Sequence, residues 1–400
     1  MAKLLFLAHR VPYPPNKGER IRAFHPLKHL AETHEVWLGA LADNEAELKE
    51  TGELRTLCKE VHYTLRRPHE KSLAMALGAA SGRALSISAF DNQELRSWCT
   101  RTIAAVRPDL VYIVSSAMAQ YVLGSEGTAR IVMDFVDADS AKFRQYAAAR
   151  RGPMRFVYNL EAKRVLRFDR AVAHAAKACL FVSETDRNLF AADCPEAADK
   201  LHVVPNGVDC DYFDPAPFAA ETSQEPIILF TGTMDYYPNV DAVVWFAHEI
   251  FPLVRAEILD ARFQIVGTSP APAVRNLAAL PGIEVTGAVP DVRPFYARAK
   301  VSVAPLRIAR GIQNKVLEAM AMARPTVATP NALDGIFATD GEHLLVARDA
   351  RAFVQATLTA LRGSIPDLGR KARENVIGHH AWRAQLAKLD AIIERVLSAP

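Results

Sequence analysis

Arg310, Lys315 and Glu318 stand close together, just after the apolar run of residues 301–304 and before Pro325. The run reads as a buried strand, and the segment after it as a glycine-bearing loop leading into a helix that starts near Ile312 and stops before Pro325. Such a turn aims the unbonded N–H groups of a helix N-terminus past the strand end, which suits a phosphate. Arg310 and Lys315 add two full positive charges beside it, enough to hold a pyrophosphate without a metal. Glu318 follows Lys315 by three positions and shares its helix face; a carboxylate there can accept two hydroxyl hydrogen bonds, which suits a ribose. The competing reading is a surface pair between Lys315 and Glu318, worth roughly a few tenths of a kcal/mol.

The first half of the chain carries a second set of candidates. Residues 14–20 form a loop after the first apolar run, in which Gly18 permits close backbone approach and Lys17 and Arg20 supply charge for a phosphate. A rigid proline-rich turn with solvated charges explains the same residues. Asp137-Ala138-Asp139-Ser140 follows another apolar run, so Asp137 or Asp139 stands at a strand's carboxyl end, placed to orient a hydroxyl or to favour a positive charge. A helix cap at Asp139 or Ser140 needs no such role. Asp137-x-Asp139 also spells a metal-binding Asp-x-Asp, a tripeptide short enough to arise by chance. Among the lone histidines only His9, just after the first run, is placed to reach a site at the strand ends.

Parallel strands buried on both faces account for the spacing of these groups. Apolar runs at residues 4–8, 35–41, 61–65, 110–115, 131–136 and 179–183 alternate with helical-period segments. A second series follows at residues 227–231, 263–266, 283–286, 301–304, 326–328 and 344–346. The expected fold is α/β, with two doubly wound Rossmann-like domains facing an interdomain cleft and ligands at the carboxyl ends of the strands. We assign residues 1–205 to an N-terminal domain, 206–225 to a linker, 226–375 to a C-terminal domain and 376–400 to a C-terminal helix.

Composition narrows the function classes. The 400 residues are 50% hydrophobic, and 48 basic against 45 acidic side chains leave a net charge of +3, which argues against nucleic-acid wrapping. Five scattered cysteines form no zinc pattern and read as reduced, mostly buried thiols, pointing to the cytosol. Residues 4–8 are too short for a signal core, and residues 110–123 for a membrane span. The basic amphipathic stretch from Arg150 to Arg170 reads as the solvated face of a long helix or as a surface for anionic lipid heads. The dinucleotide Gly-x-Gly-x-x-Gly, Walker A, His-Glu-x-x-His and Gly-x-Ser-x-Gly motifs are absent, which weakens dehydrogenase, ATPase, metalloprotease and hydrolase readings.

The string from Val303 to Thr329, with Gly311-Ile312-Gln313-Asn314-Lys315-Val316-Leu317-Glu318 at its centre, resembles the donor-site signature of retaining GT-B glycosyltransferases of the glycogen-synthase- and sucrose-synthase-like family, glycosyltransferase group 1. Phe181-Val182-Ser183-Glu184, Val204-Pro205-Asn206-Gly207-Val208-Asp209 and Phe230-Thr231-Gly232-Thr233-Met234 match further family pieces in order. More narrowly, residues 9–20 and 311–318 are similar to sugar transferases of exosortase (PEP-CTERM) exopolysaccharide systems. The resemblance implies a retaining, metal-independent hexosyltransferase without a resident cofactor, and domains that close on one another. It implies a UDP- or GDP-sugar donor held by Gly232, Thr233, Arg310, Gly311, Ile312, Gln313, Lys315 and Glu318. The implied acceptor is a lipid-linked saccharide or polysaccharide at the cytoplasmic membrane face. The resemblance places the first domain on the acceptor side and the second on the donor side, residues 14–20 beside the donor phosphates or the acceptor, and Asp137 or Asp139 where it orients the acceptor hydroxyl or favours an oxocarbenium-like transition state. It also implies that the C-terminal helix packs back on the first domain. Two departures stand out: the family's first donor-sugar glutamate falls at Arg310, and its Arg and Lys after the first donor-domain strand are replaced by Met234-Asp235-Tyr236-Tyr237-Pro238-Asn239. Arg310 and Lys315 are therefore expected to take over the diphosphate. A non-hydrolysing sugar-nucleotide epimerase and a non-catalytic nucleotide-sugar-binding partner remain as alternatives.

Overall fold

The computed structural model describes residues 1–15, 18–49, 52–124, 130–148, 150–221, 223, 225–309 and 311–398. The chain divides into two compact units, Met1–Pro205 together with the residues after 385, and Asn206–Gln385. Lys17 and Arg310 lie outside the described residues.

The first unit is built on a seven-stranded, all-parallel sheet. Its strands are β1 (Lys3–Ala8), β2 (Glu35–Ala42), β3 (Glu60–Leu65), β4 (Leu110–Val114), β5 (Arg130–Val136), β6 (Ala178–Phe181) and β7 (Leu201–Val203), in the order β3-β2-β1-β4-β5-β6-β7. Sequence patterning missed β7, a three-residue edge strand with His202 at its centre. Leu4 to Ala8 and all of β4 are fully buried, as strands covered by helices on both faces must be. The helices that matter here are α1 (Gly18–Thr33), α2 (Pro68–Ala80), α3 (Asp139–Ala148) and α4 (Pro153–Ala175).

A buried ion pair ties this sheet to α1. Arg22 Nε donates to Asp134 Oδ2 at 2.7 Å, and Arg22 Nη1 donates to the carbonyl of Val204 at 2.6 Å. Tyr112 Oη donates to the same Asp134 oxygen at 3.1 Å. The other Asp134 oxygen accepts from the Val136 amide at 3.1 Å, where β5 bulges and Val136 adopts φ 70°. A β-branched residue avoids that region, so the turn is strained and held by Asp134.

The second unit repeats the plan. β8 (Ile227–Thr231), β9 (Arg262–Val266), β10 (Ile283–Gly287), β11 (Val301–Ala304), β12 (Thr326–Ala328) and β13 (Leu345–Val346) form a six-stranded parallel sheet ordered β10-β9-β8-β11-β12-β13. Its functional helices are α5 (Tyr237–Trp245) and α6 (Asn314–Ala321), followed by α7 (Trp382–Ser398), which runs into the first unit. Val208 N donates to His380 O at 2.8 Å and Trp382 N to Val208 O at 3.2 Å, so the segment at the start of this unit lies beside the one at its end. Gly207 is required there, because a Cβ would sit 2.6 Å from the Trp382 backbone.

In both sheets the strand order reverses once, between β1 and β4 and between β8 and β11. A crevice opens at the carboxyl ends of such a pair of strands, where ligands bind in open α/β sheets. The residues after β8 and β11 are therefore those of greatest interest.

Candidate functional site

Three segments of the second unit converge on the switch point between β8 and β11. Thr231 ends β8, and Gly232 turns the chain with its amide bonded to Val266 O at 3.0 Å. A Cβ on Gly267 would lie 1.6 Å from Gly232 O, so the two loops meet backbone to backbone. A Cβ on Gly232 would press on Asn239 Nδ2 at 2.8 Å and on Lys315 Cε at 3.4 Å. Only glycine leaves this floor open.

Asn239, near the start of α5 and buried, links the floor to the base. Its Nδ2 donates to Thr233 O at 2.9 Å, and its Oδ1 accepts from Lys315 Nζ at 3.1 Å. The ammonium also stands 5.4 Å from the centre of the Phe230 ring. Burial pulls its pKa down to about 8, against an upward pull from Glu318. Among the described residues only Asn239 accepts from Nζ, which leaves two N–H donors for a ligand.

Glu318 is held from the other side. Tyr296, fully buried, lies between Thr231 Oγ1 at 2.7 Å and Glu318 Oε2 at 3.1 Å. A carboxylate accepts, so Tyr296 donates to Glu318 and Thr231 donates to Tyr296. Burial raises the Glu318 pKa, with the Tyr296 bond and Lys315 opposing it, and burial raises that of Tyr296 strongly. Among the described residues Glu318 Oε1 accepts no hydrogen bond. Lys315 and Glu318 form no ion pair with each other, so the surface-pair reading gives way to two separately anchored groups.

The helix after β11 begins at Asn314, two residues later than the sequence reading placed it. Gly311, at φ 62°, donates its amide to Asp334 Oδ2 at 3.3 Å, and Gln313 Nε2 folds back to Gly311 O at 3.0 Å. Gln313 precedes α6 without a side-chain cap and its carbonyl takes the Val316 amide at 2.9 Å, so among the described residues the Asn314 and Lys315 amides stay available. Asn314 Oδ1 is buried without a hydrogen-bond partner among the described residues. Ile312 is half-buried beside Gly335. Together the uncapped amides, Lys315 and Glu318 offer donors for a diphosphate and an acceptor for hydroxyls.

The acceptor-side candidates sit at the strand ends of the first unit. His9 Nε2 lies 3.9 Å from Glu19 Oε2, its ring meets Phe90 edge-on at 5.9 Å, and its Nδ1 is buried without a partner among the described residues. Gly18 opens α1 with no atom within 4 Å of where a Cβ would stand. Arg20 is buried, with Nη2 donating to Glu47 Oε1 at 2.7 Å and Nε without a partner among the described residues. Asp137 follows the strained Val136 turn, and burial pushes its pKa up to about 6, against the pull of Lys142. Lys142 Nζ donates to Asp139 Oδ1 at 3.4 Å and lies 3.9 Å from Asp137 Oδ2. Among the described residues the Asp139 carboxylate bonds no helix amide, so capping does not explain it.

Sequence reasoning missed Asn239, Tyr296 and Thr231. Thr231 stood inside the family-like piece Phe230–Met234 and Asn239 in the segment that departs from the family pattern; Tyr296 lay unmarked between strands. Tyr296→Phe leaves Glu318 and Thr231 without their shared partner. It is expected to lower the thermal midpoint by about 2–6 °C. If Glu318 bonds a ribose, the change should weaken UDP or GDP binding several-fold and leave inorganic pyrophosphate binding unchanged. Equal losses for both ligands would place Tyr296 outside that role.

Residues 225–363 match the family model described as glycosyl transferases group 1. No curated protein matches the chain. Among solved structures, a glycosyltransferase from Rickettsia africae is 18% identical, covering 100% of this chain and 99% of its own, with a TM-score of 0.67. Sucrose-phosphate synthase from Thermosynechococcus elongatus is 16% identical, with full coverage of both chains and a TM-score of 0.70. Anabaena HepE, solved with UDP-glucose, is 13% identical, again with full coverage, at 0.64. This chain thus has the GT-B fold, and its second unit carries a glycosyl transferases group 1 match over residues 225–363.

Proposed function

We propose that this chain is a retaining glycosyltransferase that moves a sugar from a UDP- or GDP-sugar to a lipid-linked saccharide or polysaccharide, in exopolysaccharide synthesis on the cytoplasmic side. The observation that carries the reading is the pairing of Lys315 and the uncapped start of α6 with Glu318 at the β8/β11 switch point, inside the segment that matches the family model. HepE, solved with UDP-glucose, supports the choice of donor class.

In this mechanism negative charge grows on the departing diphosphate, and the donors of Lys315 and the α6 amides stabilise it in place. A fixed ammonium and backbone dipoles do this without a metal ion. Arg310, in the same loop of the sequence, is assigned to the same diphosphate. Glu318, oriented by Tyr296, fixes the ribose and so the position of the anomeric carbon. His9, Asp137 and Asp139 are the candidates for the acceptor side, where a carboxylate would orient the attacking hydroxyl.

The test incubates the full chain with a panel of nucleotide sugars, first by thermal shift and then by transfer to membrane lipid extracts with the best binder. The expected result is stabilisation by one nucleoside diphosphate and a product with the donor's anomeric configuration, insensitive to EDTA. Absence of stabilisation by any nucleoside diphosphate sinks the proposal. Conversion of the donor sugar without acceptor marks an epimerase instead, and binding without turnover marks a non-catalytic partner.

A further inference from the structure

We propose that α2 and the tip of the α3–α4 hairpin form one docking face for an anionic lipid bilayer. The buried stripe of α4 begins only at Glu161, so its first two turns project from the unit. On them Met154, Val157 and Leu160 are exposed and Phe156 is 71% exposed, with Tyr146 exposed across the hairpin. Helix α2 adds Leu73 and Leu77, each 62% exposed.

The turn after α2 is fastened to α4 where its exposed tip ends. Just after α2, Leu85 N and Ser86 N donate to the two oxygens of Glu161 at 2.9 and 2.7 Å. Arg164 Nη1 donates to Arg83 O at 3.3 Å. Large side chains left in water on two elements joined this closely mark a contact site rather than scattered exposure.

Charge selects the occupant. Residues 140–168 hold eight Lys or Arg and one acidic residue, Glu161, whose carboxylate is buried and already bonded. Arg150, Arg151, Arg155, Lys163 and Arg167 are exposed, and among the described residues none of them forms an ion pair. Aromatic and aliphatic tips with arginines around them match the acyl boundary and the phosphate layer of an anionic membrane. Among the described residues no helix is long and apolar enough to cross a membrane, so α2 and α4 lie on the surface. The proposal rests on this face alone and is independent of the glycosyl-transfer reading.

The experiment is co-sedimentation of the full chain with vesicles of phosphatidylglycerol and phosphatidylcholine in equal parts, and with phosphatidylcholine alone, at low and high salt. Sedimentation with the anionic vesicles, weakened by salt and absent on phosphatidylcholine, is expected. Replacing Arg150, Arg151 and Arg155 by Gln together should lower partitioning roughly a hundredfold. Leu73→Ser with Phe156→Ser should lower it by about tenfold or more. Both variants should keep the wild-type thermal transition and nucleotide affinity, which separates a lost contact from a lost fold. No sedimentation with anionic vesicles, equal sedimentation on phosphatidylcholine, or variants that bind like the wild type would each overturn the proposal. Vesicle binding without nucleotide binding would instead sink the function proposed above.

Discussion

Lys315→Ala should weaken binding of the nucleoside diphosphate by about 10- to 100-fold, the range for a charge-assisted hydrogen bond to phosphate, as read by titration calorimetry. The pH dependence is the sharper measurement. Burial brings the Lys315 ammonium down to about 8 in the unliganded protein, and a bound diphosphate would push it back up. Below about pH 7 the group is already charged and affinity should be flat. Above about pH 8 binding must take up a proton, so affinity should fall roughly tenfold per pH unit. Lys315→Arg keeps its charge throughout and should remove the slope. Folding linkage runs the opposite way. With a folded pKa below the unfolded one, the unfolded chain holds more protons between about pH 8 and 10.5, so stability rises across that window while ligand affinity falls. An unchanged slope in Lys315→Arg would show that Lys315 does not meet the phosphate.

How much of this was legible in the sequence follows from which interactions are local. The strands of both sheets announce themselves as apolar runs because helices bury both faces, whereas β7 escapes with three residues and a histidine. Lys315 and Glu318 could be placed on one helix face from their spacing, but their partners could not. Asn239 and Tyr296 come from other elements and reach them only through the tertiary fold. Arg20 shows the same limit: its pairing with Glu47, distant in sequence, could not be read from its spacing. The basic stretch from Arg150 to Arg170 read as one amphipathic helix. The structure divides it into a packed stem from Glu161 onward and a projecting tip, a distinction set by where α2 and its following turn dock.

The other large effect lies in the first unit. Arg22→Met should cost about 3–5 kcal/mol of stability, because it strands the fully buried Asp134 carboxylate in a dry site, and should appear as a lower urea midpoint. The double variant Arg22→Met with Asp134→Leu should recover much of that loss, since an apolar pair no longer has to desolvate two charges. Activity should not recover with it. Asp134 Oδ1 accepts from the amide of Val136, a residue held at φ 70°, and that turn presents Asp137 one position later. Without the carboxylate the turn can relax to a commoner backbone conformation and carry Asp137 away from its place. The double variant should therefore regain stability, keep its nucleotide affinity in the second unit, and still lose turnover. If turnover returns with stability, the strained turn is a by-product of packing and Asp137 is not positioned by it. If Arg22→Met costs less than about 1 kcal/mol, water reaches Asp134 and the pair is not the dry tie described here.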